Sequence, residues 1–183
     1  MAPWDENRFR RLEDVIVATM EKKRPVVDVP YYIYLYNPAE ELRALDEFQN
    51  LELRLKTRGF SAEIIWIPDL MTFALKKFRL LDSKMVSQER ERRDSVKSDL
   101  ERILPEEITS QLKDKLKGKG VNHCAILLRC GALYPFAHVS ALLSALEGFV
   151  RCTLVVGYPG DTEGQMLNEK GETIKSYYRA EIV

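Results

Sequence analysis

The amino-acid sequence predicts an α/β domain of three layers, with a mostly parallel central sheet of about five strands and helices on both faces. Two near-continuous apolar runs, AILLRC at 125–130 and TLVVG at 153–157, are typical of strands that are covered on both faces. The apolar helix predicted between them makes a parallel strand–helix–strand unit. Two strand–helix pairs precede this unit, so the order of elements favours a single α/β domain over residues 1–183.

The composition limits the class of protein. Lys plus Arg and Asp plus Glu number 28 each, so the formal net charge is zero. The whole chain therefore predicts no long-range field that gathers nucleic acid, although a local basic face stays open. No apolar run approaches the about 20 residues of a membrane helix, and the first residues lack the apolar stretch of a secretory signal. We expect a cytoplasmic protein without membrane contact.

The three cysteines indicate a reduced core rather than a disulfide or metal framework. They are odd in number, form no CxxC pair and lie in or beside the two apolar strands. A zinc site needs more cysteine or histidine ligands, and the chain has only two histidines. We therefore expect no metal and no cofactor.

Helices and strands alternate in the first part of the chain. Apolar spacing predicts an amphipathic helix over 5–23, which packs on the domain or, as a second hypothesis, docks to another protein. YYIYLY predicts a strand at 31–36. Asn37 and Pro38 then indicate a helix start, and Gly59 indicates its end. The predicted inward face of this helix consists of Leu42, Leu45, Phe48, Leu51 and Leu55.

A helical elaboration at 84–120 is expected before the third strand. The second strand is predicted at 61–67, and Asp69 is expected to cap the following helix. The predicted inward residues of that helix are Leu70, Phe73, Ala74, Phe78 and Leu81. A densely charged helix then runs to residue 103, and Pro105 indicates the start of another.

Further strands are predicted at 124–130, 152–157 and 177–182. A polar segment at 161–175, with a turn at 168–171, separates the last two. Arg129 would lie inside an apolar strand, where a charge requires a partner. We expect a buried ion pair with Glu147 or Glu181, and an anion site is the alternative.

The loops after parallel strands meet at one edge of the sheet, where ligands and partners usually bind in open α/β folds. Aromatic and proline-rich loops lose little rotamer entropy on binding, so this edge is the predicted partner-binding surface. The alternative is that Tyr134 and Phe136 only plug the end of the sheet. The predicted partner-binding residues are Asn37, Asp69, Arg129, Tyr134, Pro135, Phe136, Tyr158, Pro159, Tyr177 and Arg179.

No set of catalytic residues emerges from the sequence. The first strand is followed by YNPAEE rather than by a glycine-rich phosphate loop, and Glu40 and Glu41 would repel an anion there. His138 and Ser140 are two apart on a predicted helix and do not face each other, and no GxSxG elbow is present. We expect a protein that is not an enzyme.

Three segments carry a resemblance to a known family: LRCGALYPFAHVSALLSALEG, LVVGYPG and the terminal YYRAEIV. Together with YNPAEE and RLKTRGFSAEIIWIPDL, they resemble the BrxB family along almost the whole chain, more loosely from 84 to 120. That family belongs to BREX (bacteriophage exclusion) gene clusters, which defend bacteria against phage and methylate host DNA.

The resemblance implies a cytosolic defence component with no assigned catalytic activity. It implies work beside a methyltransferase, a large ATPase and an alkaline-phosphatase-like protein of the PglZ type. We therefore expect a non-catalytic assembly or adaptor protein that binds other BREX proteins, with the PglZ-type protein as candidate partner. DNA contact would be indirect or through the complex. The competing hypothesis is a nucleotide- or nucleic-acid-binding factor, or an enzyme, that uses the same edge of the sheet.

Overall fold

A parallel sheet of five strands runs through the middle of the molecule. The computed structural model describes residues 4–26, 29–81, 93–160, 166–167, 173–174 and 180–183. The sheet strands are β1 (Tyr31–Tyr36), β2 (Ser61–Trp66), β3 (His123–Leu128), β4 (Thr153–Pro159) and β7 (Glu181–Ile182). They lie side by side in the order β2-β3-β4-β1-β7, and every neighbouring pair is parallel. A separate antiparallel pair is formed by β5 (Met166–Leu167) and β6 (Thr173–Ile174).

Helices cover both faces of this sheet, which confirms the predicted three-layer α/β fold. The described helices are α1 (Glu6–Met20), α2 (Glu41–Thr57), α3 (Ile67–Lys77), α4 (Arg93–Leu116) and α5 (Val139–Leu146). Apolar residues of α1 and α2 pack on one face, and those of α3, α4 and α5 pack on the other. The helical insertion predicted at 84–120 is present in its described part, α4, which lies between β2 and β3 in the chain. Residues 84–92 lie outside the described residues.

Strand alternation divides the core into two apolar clusters. In β1, Tyr31, Ile33 and Leu35 join the cluster on the α3–α5 face, while the intervening tyrosines join the cluster on the α1–α2 face. All six side chains are buried, as expected for a central strand of a parallel sheet. The three cysteines are free and buried, which confirms their prediction as core residues.

Local signals at the ends of α2 are confirmed. The side chain of Asn37 accepts a hydrogen bond of 3.0 Å from the main-chain N–H of Ala39, at the start of a short 3-10 helix. At the other end, Gly59 has a φ of +87°, the left-handed conformation that glycine adopts without strain. Its N–H donates to the carbonyl of Lys56 at 3.0 Å and closes the helix.

The predicted inward face of α3 is correct for Leu70 and Ala74 and wrong for the other three residues. Ala74 is buried and Leu70 packs against the core, but Phe73 is 56% exposed, and Phe78 and Leu81 are also exposed. Asp69 does not cap this helix. The strand ends at Trp66 and the helix begins at once, so Asp69 lies in the first turn, where its charge faces the positive end of the helix.

Two expectations for the other helices also fail. Leu42 belongs to the predicted inward face of α2, yet it is 76% exposed, because its position falls outside the arc that Ala44, Phe48 and Leu51 bury. Pro105 does not begin a helix. It lies inside the 24-residue helix α4.

The C-terminal segment is described only in part. The last strand is predicted at 177–182, and its described part, β7, pairs with β1 as a parallel edge strand. Tyr177, Arg179 and the predicted turn at 168–171 lie outside the described residues.

Candidate partner-binding site at the carboxyl edge

The topology places most predicted site residues at one edge of the sheet. Tyr36 at the end of β1 is paired in register with Pro159 at the end of β4, and β3 lies next to β4. The loop that begins at Arg129 therefore emerges beside Tyr158 and near Asn37. The carboxyl edge is here defined as Asn37, Arg129, Tyr134, Pro135, Phe136, Tyr158 and Pro159.

Asp69 lies at the margin of this edge. It follows β2, which is the outermost strand on that side, and β3 and β4 separate it from β1. Three strand spacings correspond to about 14 Å, so Asp69 and Asn37 do not form one group.

The loop between β3 and α5 is held in place by its own main chain. Arg129 adopts the left-handed conformation, with a φ of +58°, and turns the chain out of the strand. A short 3-10 helix then ends at Leu133, whose side chain is buried. The carbonyl of Leu133 accepts hydrogen bonds from the N–H groups of Phe136 and Ala137, at 2.8 and 2.9 Å. The aromatic segment is thus anchored on both sides of Tyr134.

The aromatic residues of the edge have different environments. Tyr134 is 53% exposed, and it precedes a cis peptide bond to Pro135. Phe136 and Tyr158 are half-buried and pack against the apolar cluster on the α3–α5 face. Burial raises the pKa of the Tyr158 hydroxyl. The alternative that these aromatic side chains only fill the end of the sheet therefore applies to Phe136, whereas the Tyr134 side chain is exposed on the loop.

Arg129 is not the buried strand charge that the apolar run indicates. β3 ends one residue earlier, and the Arg129 side chain is about half exposed, at 49%. Its Nε lies 3.8 Å from Oε1 of Glu41 rather than beside Glu147 or Glu181. The prediction of a buried pair with either carboxylate is wrong, because the left-handed turn carries Arg129 toward the start of α2.

Glu41 connects three elements at this edge and is missing from the predicted set. The hydroxyl of Tyr36 donates a hydrogen bond of 2.6 Å to its Oε2. Burial, and then this carboxylate, raise the pKa of Tyr36, so the phenol remains a neutral donor. The acidic pair of YNPAEE is visible in the sequence, but the turn that brings Arg129 to it is not.

Two glycines let the loops of the edge pack closely. A Cβ on Gly131 would lie 3.3 Å from Cγ of Pro159, so the two loops touch at this point. A Cβ on Gly160 would lie 3.3 Å from Cδ1 of Tyr158, and the N–H of Gly160 donates to the carbonyl of Tyr36 at 2.9 Å, which extends the β1–β4 pairing past the strand ends. The edge is a fixed surface rather than a set of separate loops.

A cavity of about 680 Å³ opens beside this edge, between the N-termini of α1 and α2. Its aromatic and cationic lining comprises Trp4, Tyr34, Arg8 and Arg43, and its carboxylates are Asp5, Glu6 and Glu40. The guanidinium of Arg8 lies 4.7 Å above the ring of Tyr34. Sequence reasoning missed this cavity because it joins the first helix to the end of β1, a contact that no local pattern shows.

A hydrogen-bonded group of another kind lies at the opposite edge. Nδ1 of His123 is 2.8 Å from Oγ of Ser61, and Nε2 is 3.0 Å from Oε1 of Glu63. The strand register explains the group, because Ser61 is paired with His123 and Glu63 shares its face of β2. The imidazole is buried, and burial lowers its pKa even though Glu63 opposes the shift. We interpret this network as a link between β2 and β3.

Within the described ranges, no three His, Cys, Asp or Glu side chains come together as a metal site. In the same part of the chain, no helix is long and apolar enough to cross a membrane.

Comparison with models of known protein families shows a match over more than half of the chain. The family model described as "BREX protein BrxB" matches residues 65–183, which is more than half of the chain. The chain belongs to the BrxB family. The match contains the whole loop from Arg129 to Phe136 and the β4 end, so most of the carboxyl edge lies inside it. No curated protein and no solved structure matches the chain.

Membership of the BrxB family makes the chain a component of a BREX phage-defence system. The resemblance drawn from GALYPF, YPG and YYRAEI is therefore confirmed.

Proposed function

We propose that this BrxB-family chain is a non-catalytic assembly protein that binds other BREX proteins through its carboxyl edge. One observation carries the proposal: an exposed tyrosine stands on a loop whose main chain is fixed on both sides. Because the loop is already ordered, its residues have little conformational entropy to lose when a partner binds.

The residue types at the edge support a protein partner. Tyrosine and arginine are enriched among the residues that dominate protein interfaces, and Tyr134 and Arg129 are both about half exposed here. Phe136 and Tyr158 pack beneath them against the core and support the surface. The guanidinium of Arg129 contacts Glu41 only at 3.8 Å, so it retains donors for a partner carboxylate or carbonyl.

The PglZ-type alkaline-phosphatase-like protein is the candidate partner in this proposal. The support is the family, whose gene clusters encode such a protein beside the BrxB-family member.

Affinity purification of the tagged chain, from cells that carry the complete BREX cluster, tests the proposal. We expect one or more BREX proteins, the PglZ-type protein among them, to be retained after washing at moderate salt. Recovery of the chain without any other BREX protein would contradict it. Recovery of a different BREX protein would keep the assembly role and remove the named partner.

A second candidate function is supported by the cavity beside the edge. Its volume of about 680 Å³ lies within the range of small-molecule pockets, and Trp4 and Arg8 offer stacking and cationic groups. Three carboxylates in the lining oppose an anionic ligand. Calorimetry with ATP, GTP and dinucleotides decides between the two functions. Micromolar binding would favour a nucleotide-binding factor, and its absence at millimolar ligand would leave the assembly role.

A further inference from the structure

The opposite edge of the sheet, at the amino ends of the strands, collects positive charge. A helix that follows a parallel strand runs back along the sheet, so its last turn lies near the amino end of the next strand. Lysine and arginine are frequent in these last turns, where they stabilise the negative end of the helix. The cations in the last turns of α2 and α4 are Arg54, Lys56, Lys113 and Lys115. A chain of zero net charge therefore has a locally basic side.

The loop at 117–122, between α4 and β3, extends this positive region. All six of its residues are exposed. Gly118 has a φ of +76°, and a Cβ at either Gly118 or Gly120 would meet no atom within 4 Å. The main chain of the loop is therefore open to a ligand, with Lys117 and Lys119 on either side of Gly118.

Several contacts place this loop beside the starts of three strands. The N–H of Ser61 donates to the carbonyl of Asn122 at 3.0 Å, which ties the loop to β2. The N–H of His123 donates to the carbonyl of Gly120 at 3.0 Å, which ties the loop to β3. Strands β3 and β4 are paired in register, so exposed Arg151, just before β4, lies beside the end of the loop.

The cations of the loop and Arg151 differ from Lys56, in the last turn of α2, in having no acidic partner. Among the described residues, Lys117, Lys119 and Arg151 form no ion pair, whereas Lys56 pairs with Glu52 at 2.8 Å. The acidic groups nearby are exposed Asp114 and the partly buried Glu63 and Glu147. Glu63 is already engaged by His123 at 3.0 Å and by Lys115 at 3.8 Å. The basic edge is here defined as Lys117, Lys119 and Arg151.

An exposed aromatic ring stands beside the basic edge. Phe149 is 68% exposed and lies two residues before Arg151. Nζ of Lys113 is 3.7 Å from the centre of its ring, so one face of the ring carries a cation. Exposed aromatic side chains that alternate with cations are typical of surfaces on which the bases of a single strand stack.

We propose that the basic edge binds the phosphate backbone of nucleic acid, with Phe149 as a stacking position for a base of a single strand. An acidic protein is less suitable as a ligand, because the loop at 117–122 presents only Val121 as an apolar anchor. Nucleic-acid interfaces are polar and positively charged, as this edge is. The site lies at the opposite edge from the carboxyl edge, so the proposal stands independently of the assembly role.

Fluorescence anisotropy with a duplex of about 20 base pairs, and with one of its single strands, tests the proposal. We expect binding at about 50 mM salt that weakens by roughly 40-fold at about 200 mM for the duplex. That factor corresponds to about three phosphate contacts at about 0.9 counterions each. No binding to either probe at low salt would overturn the proposal.

Charge reversal locates the site. Lys117→Glu/Lys119→Glu removes two of the three contacts, so the salt effect should fall to roughly threefold. Arg10→Glu/Arg11→Glu is the matched control, because both arginines are exposed on α1 and the charge change is the same. An equal loss of DNA binding in the control variant, or full DNA binding by the Lys117→Glu/Lys119→Glu variant, would contradict the placement of the site at the basic edge. Thermal melting establishes that each variant is folded.

Two further measurements distinguish single-stranded DNA, duplex DNA and acidic protein as ligands. Phe149→Ala should weaken the single strand severalfold and leave the duplex unchanged, since only unpaired bases can stack on the ring. An equal effect on both probes would remove the stacking role. Polyglutamate serves as a competitor of equal charge, and it should displace the probes only at much higher concentration. Displacement as effective as by unlabelled DNA would assign the edge to acidic protein and overturn the proposal.

Discussion

Gly157 in β4 shows how a single residue type can be required by packing. An added Cβ would lie 2.7 Å from Cε2 of Phe48 and 2.9 Å from Cδ2 of Leu128, and both neighbours are fully buried side chains. We predict that Gly157→Ala lowers the free energy of unfolding by about 1–3 kcal/mol, because the buried neighbours must move.

Urea denaturation measures this effect. Gly120→Ala is the control, since its Cβ would meet no atom within 4 Å and its φ is not positive. We expect the control to stay within about 0.5 kcal/mol of the parent chain. Equal stability of both variants would contradict the packing argument.

The buried His123 predicts a pH dependence of stability. Burial lowers its pKa in the folded state, so below about 6.5 the unfolded chain takes up a proton that the folded chain does not. The contribution of His123 to the free energy of unfolding is complete above the pKa that it has in the unfolded chain, and it declines as the pH falls below that value. We predict that His123→Gln loses less stability than the parent chain between about pH 8 and about pH 5.

Denaturant midpoints across this pH range provide the measurement. Carboxylates titrate in both proteins, so the difference between the two curves isolates His123. If stability falls equally with pH in His123→Gln and in the parent chain, the pH dependence does not come from His123.

The residue scale also shows which signals are local. Asn37 and Gly59 could be assigned from sequence because a cap or a left-handed turn depends on a few adjacent residues. The contact of Arg129 with Glu41 could not be predicted, because it depends on the left-handed conformation of Arg129 and on the position of α2. The spacing of residues in the sequence carries no information about that conformation or that position.

At the scale of elements, burial of the helices tests the layered core. Leu112 on α4 is fully buried against the sheet, whereas Leu42 on α2 is 76% exposed. We predict that Leu112→Ala costs about 2–5 kcal/mol of unfolding free energy and that Leu42→Ala costs less than about 0.5 kcal/mol. Urea denaturation of the two variants measures both. A similar cost for the two would contradict the orientation of α2.

The strands could be predicted more reliably than the helix faces. A buried parallel strand is apolar along its whole length, so β1, β3 and β4 stand out in the sequence. Helix α3 has apolar residues around most of its circumference, and periodicity cannot select which of them face inward. Phe73 therefore counted as core in the prediction and lies exposed in the structure.

At the scale of the whole molecule, the parallel sheet separates two surfaces. Its carboxyl edge carries the loops of Tyr134 and Tyr158, and its amino edge carries the C-terminal ends of α2 and α4 and the basic edge. Parallel connectivity alone predicts the first of these surfaces, because all strand ends meet there. The net charge of the chain does not reveal the second surface, the basic edge, because acidic residues elsewhere balance its lysines. The cavity beside α1 required the position of α1, which no sequence pattern supplies.

The separation of the two edges predicts that their functions are independent. Lys117→Glu/Lys119→Glu should leave partner retention in the affinity purification unchanged, because distant sites without shared contacts act additively. Conversely, Tyr134→Ala should not alter DNA binding. Loss of both functions in either variant would indicate one continuous surface.

The most direct test of the assembly role compares three tagged chains in one affinity purification from cells carrying the BREX cluster: the parent, Tyr134→Ala and Leu53→Ala. Tyr134 and Leu53 are 53% and 60% exposed, but only Tyr134 lies at the carboxyl edge, because Leu53 is in the second half of α2. We predict that Tyr134→Ala reduces BREX partner recovery by at least about tenfold, as expected for an interface residue that contributes more than about 1.4 kcal/mol to binding. Its melting temperature should stay within about 2 °C of the parent. Full partner recovery by Tyr134→Ala, or a loss matched by Leu53→Ala, would contradict the assignment of the carboxyl edge as the partner-binding surface.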